Sequence, residues 1–421
     1  MKPRSASHRP PTEQSRAGRS PGRWRFLAVG LATPTIASTL GVDGAGGAMF
    51  QIIAVDDLGL GPRAIGIAFA MGAVSVPIQL AAARLPLWRA RRHLQAFLVV
   101  AAILCWVLAA LVALDVAGEP VALVALGVTV VAEINVSVLY APAWQPLLKY
   151  ALTSEDRQTV NSRGRAAGGV LLVVTLIAFG AAGGALRTLL LVLVGAVALL
   201  LAGTLRHLPA PARPTRGDVD DPPVDRRPPL PQKMRLIYVV LALAALTATW
   251  PLFIVYAREV LWPTVNLGLL GAIQLGGSLL AAAAWRPTGA DLTPRALRAS
   301  GLLVAATVAL AVVRVPVSTR AEEIATVVAF ATAAAATTTI LLVLMERAHR
   351  EVDDDTSVKA LTVLDVVAST SHQIALLIGG FLVSASLGHG DWLLDPYRIY
   401  LLGGTCAVAL SLAAPSLRRR A

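Results

Sequence analysis

Charged residues are scarce in this chain, in which Asp, Glu, Lys and Arg make up only 15% of 421 residues. A soluble chain of this length would carry about 25% charge to cover its surface, so a soluble enzyme is excluded. Cysteine is nearly absent, since the sequence has only Cys105 and Cys406, both inside apolar segments. Their spacing fits neither a zinc site nor a disulfide framework. No Gly-x-x-x-x-Gly-Lys loop occurs, which disfavours an ATP-driven pump in this chain.

Apolar residues are abundant, with 56% hydrophobic residues and a mean hydropathy of +0.67. Charge lies in short clusters between apolar runs of roughly 20 residues, a length that spans a hydrocarbon core about 30 Å thick. The sequence therefore predicts an all-α polytopic membrane protein. We expect twelve transmembrane helices, at residues 25–54, 62–84, 93–115, 119–144, 164–185, 188–206, 234–257, 264–285, 297–315, 321–345, 360–386 and 396–415.

Two similar stretches divide the chain. In residues 133–184, a polar turn at Thr153–Arg157 separates two apolar segments, and the second segment ends in Gly183-Gly184. In residues 344–380, a charged turn at Glu346–Asp355 is placed in the same way, and the segment after it ends in Gly379-Gly380. Two such copies predict two six-helix bundles related by a pseudo-twofold axis along the membrane normal.

Segments rich in Pro and charge mark the domain boundaries, because such composition cannot bury a core. We expect bundles at residues 24–206 and 234–415, joined by a cytoplasmic linker at residues 207–233. Residues 1–23 and 416–421 are expected to form cytoplasmic tails, the first of them disordered.

The net charge of +12 fits a membrane topology better than binding to nucleic acid. With the N-terminus inside, 31 of the 37 Lys and Arg residues lie on the inner side and 6 on the outer side. Cytoplasmic loops collect cations because Lys and Arg resist translocation, so we expect both termini in the cytoplasm. The lipid bilayer, in the inner or plasma membrane, is then the chain's main partner.

Three stretches resemble the major facilitator superfamily of secondary transporters, and within it the multidrug and siderophore-exporter-like branch. They are residues 38–43 (STLGVD), 58–66 (LGLGPRAIG) and 141–162 (APAWQPLLKYALTSEDRQTVNS). With the six-plus-six plan, the resemblance covers residues 24–415. It implies a monomeric transporter without a cofactor or metal, which moves a small-molecule substrate by alternating access and is coupled to a proton or another ion.

The chain also departs from the family pattern at three places. The loop between predicted helices 2 and 3, residues 85–93 (LPLWRARRH), keeps the basic residues and lacks the family's Asp. Predicted helix 4 carries Glu133 where many proton-coupled exporters have an Arg. Predicted helix 5 keeps only Gly183 and Gly184 of the family's Gly-Pro-x-x-Gly-Gly motif. The usual scheme of proton antiport is therefore not transferred directly.

Four titratable residues lie well inside predicted helices, where a charge costs about 2.5–3.5 kcal/mol and so usually faces a cavity. Glu133 shares the spacing i, i+4, i+7 with Ser137 and Tyr140, which predicts one common helical face. A role in proton coupling or substrate binding and a role in packing both remain open for Glu133. Asp43 lies among the glycines of residues 41–47, which permit a local break, and is a site candidate or an interfacial residue.

Predicted helix 11 supplies the other two titratable residues. His372 titrates near neutral pH when unperturbed, so it is a candidate for coupling, although a structural role is equally compatible. Asp365 lies near the cytoplasmic end of the helix, where a gate or cap role is expected. Pocket walls combine apolar area with a few polar groups. On that basis the further cavity-lining candidates are Trp250, Tyr256, Gln274 and Gln373, of which Trp250 and Tyr256 are alternatively membrane-interface anchors.

These observations predict a secondary transporter that exports a small hydrophobic or amphipathic compound, by proton antiport if the family scheme holds. An uptake symporter of the same fold is the first alternative, followed by a non-transporting receptor or scaffold. A membrane enzyme would need a metal site, and its candidate clusters, Asp56-Asp57 and Asp353–Asp355, fall on opposite sides of the predicted membrane. We therefore expect no enzymatic activity.

Overall fold

A computed structural model describes most of the chain, and every regular element within the described ranges is helical. The described ranges are residues 23–42, 47–71, 75, 78, 87–115, 118–152, 154–208, 252–284, 293–313, 316–351, 357–387 and 395–413. Asp43, Trp250 and nearly all of the predicted linker lie outside them.

Fourteen helices in the described ranges are used below, in chain order. They are α1 Arg23–Leu40, α2 Ala48–Ile52, α3 Pro62–Ala70, α4 Ala90–Leu114, α5 Glu119–Asn135, α6 Ala141–Ala151, α7 Ser154–Ala181, α8 Gly184–Thr204, α9 Phe253–Tyr256, α10 Leu267–Ala284, α11 Thr293–Val312, α12 Arg320–Glu351, α13 Ser357–Ser386 and α14 Pro396–Ala413. Residues 23–208 are called the first half below, and residues 252–413 the second half.

Six stretches of the described residues are helical, long and apolar enough to cross a membrane. They are Ala90–Leu114, Glu119–Trp144, Gly184–His207, Leu267–Ala284, Pro294–Val312 and Arg320–Leu344. Their outward faces carry large aliphatic side chains, with Leu200 and Leu280 each more than 70% exposed, as expected of a surface that faces lipid. The predicted all-helical, multi-pass character is confirmed, and the count of twelve spans stays a prediction.

Both predicted polar turns prove to be largely helical. Helix α7 begins at Ser154 and not at residue 164, so it takes up most of the turn predicted at Thr153–Arg157. Helix α12 continues to Glu351, six residues beyond its predicted end. The reason is that a helix satisfies its own backbone hydrogen bonds and can run on into water, so polar sequence at a membrane surface does not end it.

The first predicted helix is interrupted. Helix α1 ends at Leu40 and α2 begins at Ala48, and the flanking Gly41 and Gly47 have φ angles of 78° and 60°. Only glycine adopts these values readily. The two glycine backbones come so close that a Cβ atom on Gly47 would overlap Gly41. The local break that the glycines permit is therefore present.

Three π turns, at Ile53–Asp57, Val136–Tyr140 and Ala257–Leu261, follow α2, α5 and α9. A π turn joins residues five apart rather than four, so it rotates every side chain that follows. The turn after α5 has a direct consequence. Asn135 donates a hydrogen bond to the Phe97 carbonyl of α4 (3.0 Å), and the Tyr140 ring, five residues on, packs against the Phe97 ring at 5.0 Å.

The two halves touch mainly along two pairs of helices, α3 with α13 and α7 with α10, and α2 adds a smaller contact with α10. At each pair, glycine lies against glycine. A Cβ atom on Gly66 would lie 2.9 Å from Gly380 Cα, and one on Gly180 would lie 2.7 Å from Gly268 Cα. We call these two contacts the glycine seams.

Of the two Gly-Gly pairs found in the sequence, one contributes a residue to a glycine seam and the other does not. Gly380 belongs to the seam between α3 and α13, whereas Gly183 and Gly184 have open space around them. In the other seam the contact is made by Gly180, one turn earlier in α7. Gly183 precedes α8 in an extended conformation, so the pair serves the connection between helices and not the contact between halves.

Candidate functional site

A cluster of charged residues occupies the end of the molecule at which α2 ends and α8 begins, here called the Arg187 end. The Arg187 guanidinium lies 3.0 Å from Asp56 Oδ2 and 3.0 Å from Asp57 Oδ1. Its Nε also donates to the Phe179 carbonyl at 2.9 Å. The residue is only 6% exposed, so its charge is balanced within the protein by the two carboxylates.

The same cluster reaches into the second half. Arg258, in the π turn after α9, places Nη2 at 3.9 Å from Asp56 Oδ1 and donates from Nη1 to the Val265 carbonyl at 3.0 Å. Nearby, the Asn266 side chain donates to the Gly180 carbonyl at 2.9 Å, beside the glycine seam between α7 and α10. Polar contacts therefore join the two halves at the Arg187 end.

The second half has a buried arginine of its own at the start of α14. Arg398 is 4% exposed, and its Nε donates to the Tyr256 hydroxyl at 2.7 Å. That hydroxyl donates in turn to Asp395 Oδ2 at 2.8 Å, while Asp395 Oδ1 accepts from Ser386 at 2.8 Å. Tyr256, a cavity-lining candidate, is thus 1% exposed and sits inside a polar network within the second half.

Glu133 lies at mid-length of the span formed by α5 and α6 and is half-buried. It is one helical turn from Thr129, whose hydroxyl oxygen lies 3.4 Å from the Ala68 carbonyl of α3, so Glu133 is on the α3 side of its helix. Ser137 is buried. Tyr140 packs against α4 as described above, on the side of Asn135, which is about 200° around the helix from Glu133.

The common face expected for Glu133, Ser137 and Tyr140 is therefore not kept in the structure. The i, i+4, i+7 spacing assumes a regular α-helix, and the π turn at Val136–Tyr140 breaks that assumption. Tyr140 instead stacks on the Trp144 ring, with centroids 5.6 Å apart and planes at 18°.

The second half contributes Gln274 of α10 and His372 and Gln373 of α13 to the predicted site. The two glutamines are 7% and 4% exposed, and the Oε1 atom of each is buried without a hydrogen-bond partner. The Nε2 atom of His372 is also buried without one. Asp365 lies on α13, eight residues before Gln373.

The sequence predictions missed the arginine networks. From the sequence, Arg187 and Arg398 were counted only among the six outer-side Lys and Arg residues. Asp56-Asp57 was considered only as a metal cluster, and an unsuitable one. A signal was present, because the two arginines occupy the fourth position of α8 and the third position of α14. An arginine at the start of an apolar helix can be exposed or buried, however, and its partners lie 131 and 142 residues away. No metal-binding group of His, Cys, Asp and Glu occurs among the described residues.

Similar solved structures identify the fold. A structure of the nucleoside transporter NupG matches with a TM-score of 0.66 at 12% identity, over 94% of this chain and 100% of that one. The inward open xylose transporter XylE from E. coli matches with a TM-score of 0.61 at 14% identity, over 92% of this chain and 93% of that one.

A bacterial homolog of the human lysosomal transporter Spinster, in an inward-facing and unoccupied conformation, matches with a TM-score of 0.61 at 15% identity, over 94% of this chain and 96% of that one. The sequence matches no protein-family profile and no curated protein. The chain thus has the fold of major facilitator transporters, as its motifs predict, and membership of the exporter-like branch stays a prediction.

Proposed function

We propose that this chain, which has the major facilitator fold, is a secondary transporter that moves a small molecule across the membrane by alternating access. The observation that carries the proposal is the construction of the glycine seams. At each glycine pair two backbones touch directly, and no side chain of either glycine has to be unpacked when the halves part at that point. Small residues let membrane helices approach each other closely.

The conformation described here is closed at the Arg187 end, where both seams and the ion cluster lie. With both termini in the cytoplasm, as the distribution of Lys and Arg favours, this end is the outer one. With this orientation, we propose that the structure represents an inward-facing state. The similar XylE and Spinster-homolog structures are in inward-facing states as well, which supports this assignment.

Export by proton antiport is the direction and coupling that we favour, with Glu133 as the coupling residue. Antiport requires a site at which protonation and substrate occupancy exclude one another, because a ligand shifts an equilibrium only through differential affinity. A half-buried carboxylate in the middle of a span meets that need, since it can hold either a proton or a polar group of the substrate. One proton that crosses a potential of 100 mV contributes roughly 2.3 kcal/mol to the work of export.

The test is transport in everted vesicles with an imposed pH gradient, first as a screen for substrates and then with Glu133→Gln. This variant keeps the size and hydrogen-bonding capacity of the side chain but cannot release a proton. We expect net flux driven by the pH gradient to be lost, while exchange of labelled for unlabelled substrate survives, because exchange moves no net proton.

Glu119→Gln is the matched control, since Glu119 begins the same helix and is exposed. It is expected to transport like the parent protein. If Glu133→Gln also transports at the parental rate with the parental pH dependence, Glu133 is a packing residue, and Asp43 or His372 becomes the coupling candidate. If no compound in the screen responds to any imposed gradient, the transporter proposal itself fails.

A further inference from the structure

Two glutamines of the second half have no hydrogen-bond partner in the part of the chain that the structure describes. Gln274 and Gln373 are 7% and 4% exposed, and Oε1 of each is buried and unpaired. A buried amide without a partner costs free energy, and native structures leave few such groups without a reason. A ligand that supplies the missing bonds is one such reason.

Gln373 faces the first half. It precedes Gly380 by seven residues, so the two lie within about 20° of each other on one side of α13, with Gln373 about 10 Å further from the Arg187 end. Gly380 is the residue that touches Gly66 of α3. Gln373 therefore lies directly beneath a glycine seam.

Gln274 lies at a similar depth on α10, the helix that carries the other seam, about 120° around that helix from Gly268. It follows Gly271 by three residues on α10, and a Cβ atom on Gly271 would lie 3.1 Å from Ala48 Cβ of α2. It also follows Gly268, the seam residue, by six residues, which places it about 9 Å further from the Arg187 end. The two glutamines thus lie at nearly equal depth. Gln373 is on the side of α13 that faces α3, and Gln274 is about 60° around α10 from Gly271, the residue that meets α2.

The interruption of the first helix lies at the same depth. Helices α2 and α10 run in opposite directions and meet at Ala48 and Gly271. Gln274 lies one turn further from the Arg187 end than Gly271. At that depth the first half presents Gly47, the residue that begins α2 after the interruption. Interrupted helices near the middle of the membrane are where transporter folds place their substrates, because free backbone groups are available there.

The chemistry of this place favours an uncharged ligand. An amide is neutral and both donates and accepts hydrogen bonds, and the neighbouring His372 adds a buried Nε2 atom without a partner. Apart from three residues at either end, none of the twelve predicted helices contains Lys or Arg, so no fixed cation is placed to hold an anion.

We infer that Gln274 and Gln373 bind the transported substrate, and that this substrate is an uncharged compound with several hydroxyl or amide groups. The inference rests on the proposed transport function and extends it to the class of substrate. A pocket built to hydrogen-bond its ligand rejects analogues that cannot supply the bonds, because its own polar groups would then stay unpaired.

The test uses the full chain purified in detergent, and measures its melting temperature with defined probes. The uncharged probes are uridine, xylose and myo-inositol. The charged probes are uridine monophosphate and tetraphenylphosphonium. We expect at least one uncharged probe to raise the melting temperature in a saturable way. Gln274→Leu and Gln373→Leu should each weaken its apparent affinity about tenfold, the value of one hydrogen bond.

Gln95→Leu is the matched control. Gln95 lies on α4, within the first half, and its side chain donates to the Ala202 carbonyl at 3.2 Å. This variant should bind the probe like the parent protein and melt at a lower temperature without ligand, because it leaves a carbonyl unpaired. The two site variants should melt without ligand at or above the parental temperature, because they remove an unpaired amide.

Four results would overturn the inference: stabilisation by the charged probes only, no stabilisation by any uncharged probe, undiminished affinity in both site variants, or equal weakening in Gln95→Leu. The proposed function is tested separately by the vesicle screen. If a charged compound is transported along a gradient and both Leu variants still transport it, the glutamine site is refuted and the transporter proposal stands. If an uncharged probe binds at the glutamines but never crosses the vesicle membrane, the transport function is refuted and the binding site stands.

Discussion

The glycine seams offer the sharpest test of movement between the halves, because one added methyl group meets rigid backbone. In Gly268→Ala the new Cβ atom would lie 2.6 Å from Gly180 Cα and 2.8 Å from Gly180 N. Real Cβ atoms do not approach backbone this closely, so α7 and α10 have to shift apart. Overpacking of this kind costs about 1–3 kcal/mol.

That cost applies only to the conformation in which the seam is closed. If the halves exchange between two states, a penalty of about 2 kcal/mol on the closed seam shifts the ratio of states roughly 30-fold toward the open one. If the protein has only one state, its free energy of unfolding falls instead by the whole penalty. The two cases are distinguished by measuring whether the seam becomes accessible in a protein that remains folded.

The assay is the labelling rate of a cysteine placed in the seam at Leu176, which is 1% exposed and packs beside Gly271. An impermeant maleimide is added to intact cells, in a background from which Cys105 and Cys406 have been removed. We expect Gly268→Ala to raise the labelling rate at least tenfold with nearly unchanged expression.

Gly127→Ala and Gly403→Ala are the controls, because nothing lies within 4 Å of a Cβ atom at either position. They carry only the gain in helix propensity, about 1 kcal/mol. The reasoning is refuted if Gly268→Ala labels at the rate of these controls and melts at the same temperature, since the seam would then not be a close backbone contact.

The remaining predictions concern the buried networks and the topology. Arg187→Met should lower the melting temperature by several degrees, because it leaves Asp57 buried without its cation, a change that costs about 3–5 kcal/mol. Tyr256→Phe should cost about 1.5–3 kcal/mol, measured by thermal unfolding, because the hydroxyl links a charged donor to a charged acceptor. A cysteine introduced near Asp220 should resist labelling from outside intact cells, because the linker is expected in the cytoplasm.

Each of these has a control. Arg63→Met removes an exposed arginine that lies over the Phe381 ring at 4.7 Å, and should change the melting temperature much less than Arg187→Met. A double-mutant cycle of Tyr256→Phe with Arg398→Met should show strong coupling of the two effects on stability. Additive effects would mean that the hydrogen bond between the Tyr256 hydroxyl and Arg398 does not contribute to stability. Efficient outside labelling near Asp220 would overturn the twelve-helix topology.

The structure refines the interpretation of helix 4 most clearly. From the spacing alone, Glu133 and Tyr140 belong to one face, since seven residues make nearly two α-helical turns. The π turn at Val136–Tyr140 turns Tyr140 toward Phe97 of α4 instead. Nothing in the local sequence distinguishes a π turn from an α turn there, because its stability comes from packing against the neighbouring helix.

The sequence by itself determined the features that depend on composition along one segment. Apolar runs of membrane-spanning length predict the helical, multi-pass architecture, and the glycines at 41–47 predict the break in the first helix. Both follow from the behaviour of a local stretch of chain in lipid or at an unusual φ angle. The family motifs predict the fold, since their order along the chain reflects the order of the helices.

Only the tertiary structure decided which of these residues meet. The pairing of Gly66 with Gly380, of Gly180 with Gly268 and of Arg187 with Asp56 joins positions 314, 88 and 131 residues apart. Each depends on how two helices pack, which is a balance of many weak contacts across the whole bundle and is not encoded in any one segment.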